Sequence, residues 1–253
     1  MKAVIVGAGR GIRLMPETRS YPKCMLDGLG GRRVLDWILD GFARNGIEDV
    51  SFIGGYHMEK IVAAYPSLRY YTNSDWADNN ILESLLCAAP ELDAECIISY
   101  SDIVFQPEVV EKLLASPADN ALVVDLDWRK RYQNRTDQGE EAAEKVLVEQ
   151  GLIRSLGKHI PGPGSHGEFV GLSRLSGDTA RTLRRVYEEL RPDHWDRPFQ
   201  QAATIRQAYL TDMFQELIDR GTSFASVDIE GGWAELDTPL DLSRARRELG
   251  TDR

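Results

Sequence analysis

A glycine-rich turn directly after a short apolar run constrains this chain more than any other feature. The run at residues 3–6 is typical of a buried parallel strand, and glycines follow it without a gap. Glycines lack a Cβ atom, so their backbone amides can approach an anion closely. Arg13 and Lys23 then supply a guanidinium fork and a point charge. The stretch therefore predicts a triphosphate site, and its predicted nucleotide-binding residues are Gly7, Ala8, Gly9 and Gly11.

Two common nucleotide-binding motifs are excluded by the same stretch. A dinucleotide fingerprint requires a third glycine where this chain has Arg13. A P-loop requires Gly-Lys-Ser/Thr directly after the loop, and that triplet is absent from this turn.

The composition limits the classes of partner. The chain has 253 residues with 30 Lys+Arg against 40 Asp+Glu, a net charge of −10, which argues against nucleic-acid and anionic-membrane surfaces. The three cysteines show no paired spacing, so we expect no structural zinc site. Because neither a signal peptide nor an apolar run of spanning length is recognisable, we expect a cytoplasmic protein with no membrane partner.

Strand-like and helix-like stretches alternate through the first half of the chain, with strands predicted at residues 50–53 and 96–100. This alternation predicts a mostly parallel sheet with helices on both faces, a Rossmann-like three-layer α/β sandwich. Ligands of such sheets bind beyond the carboxyl ends of the strands, where Gly9, Asn80 and Asp102 fall.

The second half is less regular. A hairpin is predicted to turn at Gln150-Gly151, and a helix is predicted over residues 178–190. Residues 191–199, with Trp195 and two prolines, break the helical pattern and are a candidate lid or homodimer contact.

The N-terminal stretch resembles the signature of nucleotidyltransferases that activate sugar phosphates and phosphocholine, because Pro16, Thr18 and the Pro22-Lys23 pair accompany the glycines. It departs from the signature at Gly7, where alanine is usual, and at Ile12, where a small hydroxyl residue is common. The resemblance implies a single domain of the nucleotide-diphospho-sugar transferase (GT-A-like) type. We expect a nucleotide-binding part at about residues 1–127, a small β-rich acceptor lobe at about 128–204, and a C-terminal helix and metal-site segment at about 205–253.

Three stretches are similar to the phosphocholine and phosphonate cytidylyltransferase branch, namely residues 71–85, 99–105 and 209–237. This resemblance implies CTP as donor and transfer of CMP to a small phosphonate, such as 2-hydroxyethyl- or 2-aminoethylphosphonate, or to phosphocholine, with release of pyrophosphate. Asn80 and Ser84 are candidates near the nucleotide, with a helix N-cap as the alternative for Asn80. The rival functions are a UTP- or dTTP-dependent hexose-1-phosphate enzyme and a non-catalytic nucleotide-binding regulatory module.

The resemblance also implies that Asp102 and Asp237 together hold Mg²⁺, for which Mn²⁺ can substitute. Glu235 either shares this role or, as we expect, supports the two ligands without contacting the ion. Asp102 alone is equally well explained as a helix cap or a turn residue. The implied chemistry is in-line attack of an ionised acceptor oxygen on the α-phosphorus, which requires no general base. Lys23 is expected to neutralise the α-phosphate and Arg13 to bind the leaving phosphates.

Two sets of residues compete for the acceptor. A cationic head suits the carboxylates and aromatic rings of Glu168, Asp212, Trp128 and Tyr132. An anionic end suits the basic stretch that contains Arg129 and Arg135. The alternatives are that the aromatic residues belong to the core and that the basic stretch is a solvated loop.

Overall fold

A computed structural model describes residues 1–133, 135 and 137–248 of the chain. The end of the predicted C-terminal segment, residues 249–253, lies outside the described residues. The strands are β1 (Lys2–Gly7), β2 (Asp27–Leu29), β3 (Arg32–Arg33), β4 (Asp49–Gly54), β5 (Arg69–Thr72), β6 (Cys96–Tyr100), β7 (Ile103–Phe105), β8 (Ala121–Asp125), β9 (Lys145–Glu149), β10 (Leu152–Gly157), β11 (Gly167–Leu175), β12 (Ala225–Ile229) and β13 (Trp233–Glu235). The helices are α1 (Val34–Arg44), α2 (Met58–Ala64), α3 (Ile81–Cys87), α4 (Pro107–Ala115), α5 (Arg129–Tyr132), α6 (Gly177–His194), α7 (Leu210–Asp219) and α8 (Pro239–Glu248).

One nine-stranded sheet organises the chain, in the order β5-β4-β1-β6-β11-β8-β12-β10-β9. The predicted parallel core is present, since β1 pairs in parallel with both β4 and β6. The sheet as a whole is mixed, because β11 enters antiparallel between β6 and β8 and the β9–β10 hairpin is antiparallel as well.

The strands of the predicted acceptor lobe belong to this same sheet, in which β9 also pairs with the start of β11. The predicted functional division of the chain at residues 128 and 204 therefore follows no break in the sheet, and it stays a prediction.

Helices cover both faces of the sheet and bury two apolar clusters, as the alternating pattern predicted. On one face α1 and α4 pack with residues such as Ile38, Phe42 and Val110. On the other face α3, α6 and α7 pack with residues such as Leu85, Leu183 and Phe214. The three-layer α/β sandwich is thus confirmed.

The predicted end of α6 is wrong. The helix was expected to stop before Arg191, but it continues to His194 and contains Pro192. A proline in the last turn forfeits one backbone hydrogen bond. At this end of the helix the Arg191 guanidinium lies 4.0 Å from the Glu83 carboxylate and 4.2 Å from the centre of the Trp195 ring.

Gly7 is required by close packing at the end of β1. A Cβ atom at this position would lie 2.6 Å from the Ser101 Cβ and 2.7 Å from the Phe52 ring, whereas a Cβ at Gly9 would meet nothing within 4 Å. We therefore expect Gly7→Ala to lower the free energy of unfolding by about 1–3 kcal/mol. Gly9→Ala is the matched control and should change it far less. Urea denaturation of both variants tests this, and equal stabilities would contradict the packing argument.

Candidate active site

The carboxyl edge of the parallel strands opens into a cleft with a volume of about 560 Å³. The turn after β1 forms one wall, and Gly11 in this turn has φ 66°, the left-handed region that favours glycine. The Thr18 hydroxyl donates a 2.8 Å hydrogen bond to the Gly11 carbonyl, which ties the turn to the segment that follows. The predicted phosphate-binding residues therefore line one open cavity, together with Arg13 and Lys23.

A small second sheet brings the two predicted metal ligands together. β13 pairs antiparallel with β7, which places Glu235 opposite Ile103. The backbone amide of Leu236 then donates a 2.8 Å hydrogen bond to the Asp102 carbonyl. Asp237 follows directly, so residues that are far apart in sequence meet at the centre of the cleft.

Asp237 is buried between two cations. Its carboxylate lies 2.7 Å from the Arg13 guanidinium and 2.6 Å from the Lys23 ammonium, which is also 2.9 Å from Asp102. Burial alone would lower the pKa of Lys23, but the charges of Asp102 and Asp237 raise it above the ordinary value. Burial likewise favours the neutral form of Asp237, yet Lys23 and Arg13 hold its pKa below the usual range. Both shifts favour the charged forms of Lys23 and Asp237, which therefore stabilise each other as an ion pair.

A third carboxylate completes this cluster. Oxygens of Asp102, Glu235 and Asp237 lie within 4.8 Å of one another. Burial and the charge of Asp237 raise the pKa of Glu235, while Arg131 holds its carboxylate at 2.7 Å. Three hard oxygen donors in one place suit a divalent cation such as Mg²⁺. Glu235 is therefore close enough to Asp102 and Asp237 for all three carboxylates to reach one ion.

The residues predicted near the nucleotide, Asn80 and Ser84, line the same cleft. Asn80 caps α3 by accepting a 2.9 Å hydrogen bond from the Ile81 amide, and its side-chain amide donates to the Gln207 carbonyl at 3.0 Å. The alternative interpretation of Asn80 as a helix N-cap is therefore correct, although the residue also lines the cleft. Ser84 is buried beside it and accepts a 2.9 Å hydrogen bond from Asn73.

Glu168 lies in the cleft, as predicted for the acceptor, but its partners are already protein groups. The Arg131 guanidinium is 2.9 Å from its carboxylate, and the Tyr132 hydroxyl donates to it at 2.7 Å. Tyr132 is almost buried and Trp128 is completely buried. The predicted direct contact of Trp128 with an acceptor is therefore contradicted, because its ring packs against Tyr132 in the core.

Three further acceptor predictions do not fit the structure. Asp212 caps α7 instead, because its carboxylate accepts hydrogen bonds from the Tyr209 amide at 2.7 Å and the Gln201 amide at 3.1 Å. The Arg135 side chain is 1% exposed and pairs with Asp241 at 2.6 Å. Arg129 stacks over Trp128 at 4.4 Å, outside the residues that line the cleft.

The structure adds two charged residues that the sequence analysis did not single out, Glu144 and Lys158. Glu144 directly precedes β9, which pairs with β11 at the same edge of the sheet as Glu168. Lys158 follows β10, with its ammonium 3.9 Å from the centre of the Tyr209 ring. The only sequence signal for either residue is its position next to a predicted hairpin strand.

Residues 3–197 match the family described as the MobA-like NTP transferase domain. A CTP:phosphoglutamine cytidylyltransferase from Campylobacter jejuni is 29% identical over 252 residues, which cover 96% of this chain and 98% of the relative. A 2-aminoethylphosphonate cytidylyltransferase from Lancefieldella rimae is 26% identical over 192 residues, covering 74% and 72%. A UTP–glucose-1-phosphate uridylyltransferase from Haloferax volcanii is 28% identical over 257 residues, covering 98% and 96%.

A solved structure of CTP:phosphocholine cytidylyltransferase from Streptococcus pneumoniae matches the fold with a TM-score of 0.74. The two sequences are 19% identical, and the match covers 98% of this chain and 99% of the other. Within the described part of this chain, no helix has the length and apolar character needed to cross a membrane.

The buried Arg135–Asp241 pair generates a stability prediction. Asp241 accepts hydrogen bonds from the backbone amides of Asp237 and Thr238, so Arg135 supports the turn that carries Asp237. Arg135→Met leaves Asp241 buried without its cation, and we expect the free energy of unfolding to fall by about 3 kcal/mol.

Arg154→Met is the control, since the side chain of Arg154 is 49% exposed, and it should change stability by less than about 0.5 kcal/mol. Denaturant titration measures both. If Arg135→Met were as stable as the wild type and had a raised KM for the acceptor, the predicted role of Arg135 in binding the acceptor would be correct instead.

Proposed function

The chain belongs to the family of MobA-like NTP transferase domains, and we propose that it is a CTP-dependent cytidylyltransferase. It moves CMP from CTP to a small acceptor that carries a phosphoryl group at one end and a cationic nitrogen near the other. The observation that carries this proposal is the cleft, in which the glycine-rich turn, the Lys23–Asp102–Asp237 cluster and buried carboxylates follow one another along a single sheet edge.

The choice of CTP and of the acceptor class is supported by the relatives. Two of the curated relatives and the solved structure are cytidylyltransferases, named for phosphoglutamine, 2-aminoethylphosphonate and phosphocholine. Each of these acceptors joins a phosphate or phosphonate to a part with a nitrogen group. The competing assignment is a UTP-dependent hexose-1-phosphate enzyme, which one of the relatives is. Activity measured with several nucleotides and acceptors distinguishes the two.

The proposed reaction is a single displacement at the α-phosphorus. An ionised oxygen of the acceptor forms the new P–O bond, the bond to the α,β-bridging oxygen breaks, and its electron pair leaves with pyrophosphate. No proton has to be removed from the nucleophile, which is consistent with a cleft that works through charge and positioning. The chain's own contribution is the Lys23 ammonium at the α-phosphate and the Arg13 guanidinium at the leaving phosphates.

Mg²⁺ fits the donor set of the cleft, since three carboxylates converge there. One of them, Asp237, already pairs with a cation, the Lys23 ammonium. We propose that Asp102 and Asp237 hold the ion, with Glu235 as a further ligand. When bound, the ion neutralises negative charge on the phosphates and helps to align them.

A nucleotide and acceptor panel tests the proposal directly. Pyrophosphate release is measured with Mg²⁺ for CTP, UTP, dTTP and ATP, each with phosphoglutamine, 2-aminoethylphosphonate, 2-hydroxyethylphosphonate, phosphocholine and glucose 1-phosphate. Release with CTP and a nitrogen-bearing acceptor is the expected result. Release only with UTP or dTTP and glucose 1-phosphate would overturn the proposal in favour of the hexose-phosphate assignment. Nucleotide binding without release in any combination would contradict it in favour of a regulatory module.

Lys23 is expected to be essential for turnover. Lys23→Met keeps the aliphatic chain but removes the ammonium that neutralises the α-phosphate, and we expect kcat to fall by about 10²–10³-fold. Lys112→Met, an exposed lysine on α4, is the control and should retain kcat. Circular dichroism verifies that both variants are folded. Near-normal turnover of folded Lys23→Met would disprove its role.

The metal assignment has a test that does not depend on activity. Electron paramagnetic resonance of free Mn²⁺ measures binding of this ion in the presence of CTP. Asp237→Asn and Asp102→Asn each remove a charged ligand, and we expect the affinity to fall by roughly tenfold or more. Asp178→Asn, with a side chain 92% exposed, is the control. Equal Mn²⁺ affinity in all four proteins, wild type included, would contradict the assignment.

A further inference from the structure

Most charges in the cleft already have an opposite partner. Asp237 pairs with Arg13 and Lys23, and Asp102 also pairs with Lys23. Arg131 lies behind the cleft and holds both Glu235 and Glu168, at 2.7 and 2.9 Å. The charged side chains at the centre of the cleft are therefore paired with one another. The charged side chains without an ion-pair partner on the acceptor side indicate which charges a bound acceptor carries.

Glu144 is one of these remaining charges. The residue is 8% exposed, and its carboxylate accepts hydrogen bonds from the Tyr100 hydroxyl at 3.1 Å and the Thr211 hydroxyl at 3.3 Å. Across residues 1–133, 135 and 137–248 it forms no ion pair. A carboxylate this buried is costly without a cation beside it, and burial raises the pKa of Glu144 to about 7.

Lys158 is the other remaining charge. Its ammonium lies over the Tyr209 ring, and no carboxylate of the described chain pairs with it. Burial alone would lower the pKa of Lys158, but the negative charge of Glu144 raises it, so the two groups lie close enough to influence each other without joining. The Glu144 carboxylate and the Lys158 ammonium line one cavity without forming an ion pair. They are therefore complementary to a ligand that carries both an ammonium and a carboxylate.

We propose that Glu144 and Lys158 form a subsite for the α-amino-acid end of the acceptor, with Glu144 binding the ammonium and Lys158 binding the carboxylate. This inference rests on the proposed function and narrows its acceptor to a phosphoryl-bearing amino acid. In this proposal Glu144 takes the role that the sequence analysis gave to Glu168, Asp212, Trp128 and Tyr132.

The position of this subsite fits a short acceptor. Tyr100 donates a hydrogen bond to Glu144, and Tyr100, Asp102 and Glu144 all line the same cleft. The subsite and the proposed reaction centre therefore share one cavity of about 560 Å³, which suits a single small acceptor that reaches both.

Three phosphonates of matched length test the subsite on the wild-type enzyme with CTP. 2-Amino-4-phosphonobutyrate has both charges, 3-aminopropylphosphonate lacks the carboxylate, and 4-phosphonobutyrate lacks the ammonium. We expect kcat/KM for the first to exceed that of each of the others by roughly tenfold or more, because each deleted group leaves a charged partner unsatisfied. Three points of attachment also predict that one enantiomer of 2-amino-4-phosphonobutyrate is preferred.

Two variants test which side chain binds the carboxylate of the acceptor and which binds its ammonium. Lys158→Met should bring the ratio of kcat/KM between 2-amino-4-phosphonobutyrate and 3-aminopropylphosphonate close to one. Glu144→Gln should do the same for the ratio between 2-amino-4-phosphonobutyrate and 4-phosphonobutyrate. Lys130→Met and Glu149→Gln, whose side chains are 69% and 74% exposed, are the controls and should keep both ratios.

The outcomes separate this inference from the proposed function. Equal kcat/KM values for the three phosphonates in the wild type, or unchanged ratios in folded Lys158→Met and Glu144→Gln, would overturn the subsite while cytidylyl transfer stands. Absence of any transfer from CTP, with activity only on UTP and glucose 1-phosphate, would overturn both.

Discussion

The centre of this protein depends on one buried carboxylate and the two cations that hold it. Asp237 lies between Lys23 and Arg13, at 2.6 and 2.7 Å, and Lys23 extends the contact to Asp102. Burying these charges is favourable only because they are paired, so the cluster fixes the turn after β1 against the segment after β13. In the proposed reaction the same cations bind the phosphates and the same carboxylates hold the metal ion.

The rest of the fold serves to bring this cluster together. The parallel pairing of β1 with β6 places the glycine-rich turn beside Asp102, and the pairing of β7 with β13 adds Glu235 and Asp237. The antiparallel strand β11 and the edge strand β9 extend the same edge to Glu168 and Glu144. The cleft therefore runs along one sheet edge, from the proposed phosphate-binding wall to the proposed acceptor wall.

The features that depend on local sequence were predicted well. The apolar run and its glycines predicted the turn that lines the cleft, and the place of Asp102 after a central strand put it at the same edge. Asp237 was assigned through resemblance. The acceptor side was predicted poorly, because contacts that the local sequence does not reveal decide it. Arg135 pairs with Asp241, 106 residues away, and Asp212 caps its own helix. Glu144 reaches the cleft only through the pairing of β9 with β11, which no local pattern reveals.

The account is tested most directly by a crystal structure with Mn²⁺ and the α,β-methylene analogue of CTP, with anomalous scattering recorded at the manganese edge. We expect the phosphates to lie against the turn at residues 7–11 and the Lys23 ammonium to contact the α-phosphate. Manganese should lie between Asp102 and Asp237. The β- and γ-phosphates should contact Arg13. Manganese away from these two carboxylates, or a nucleotide bound outside the cleft, would contradict the assignment of this cluster as the reaction centre.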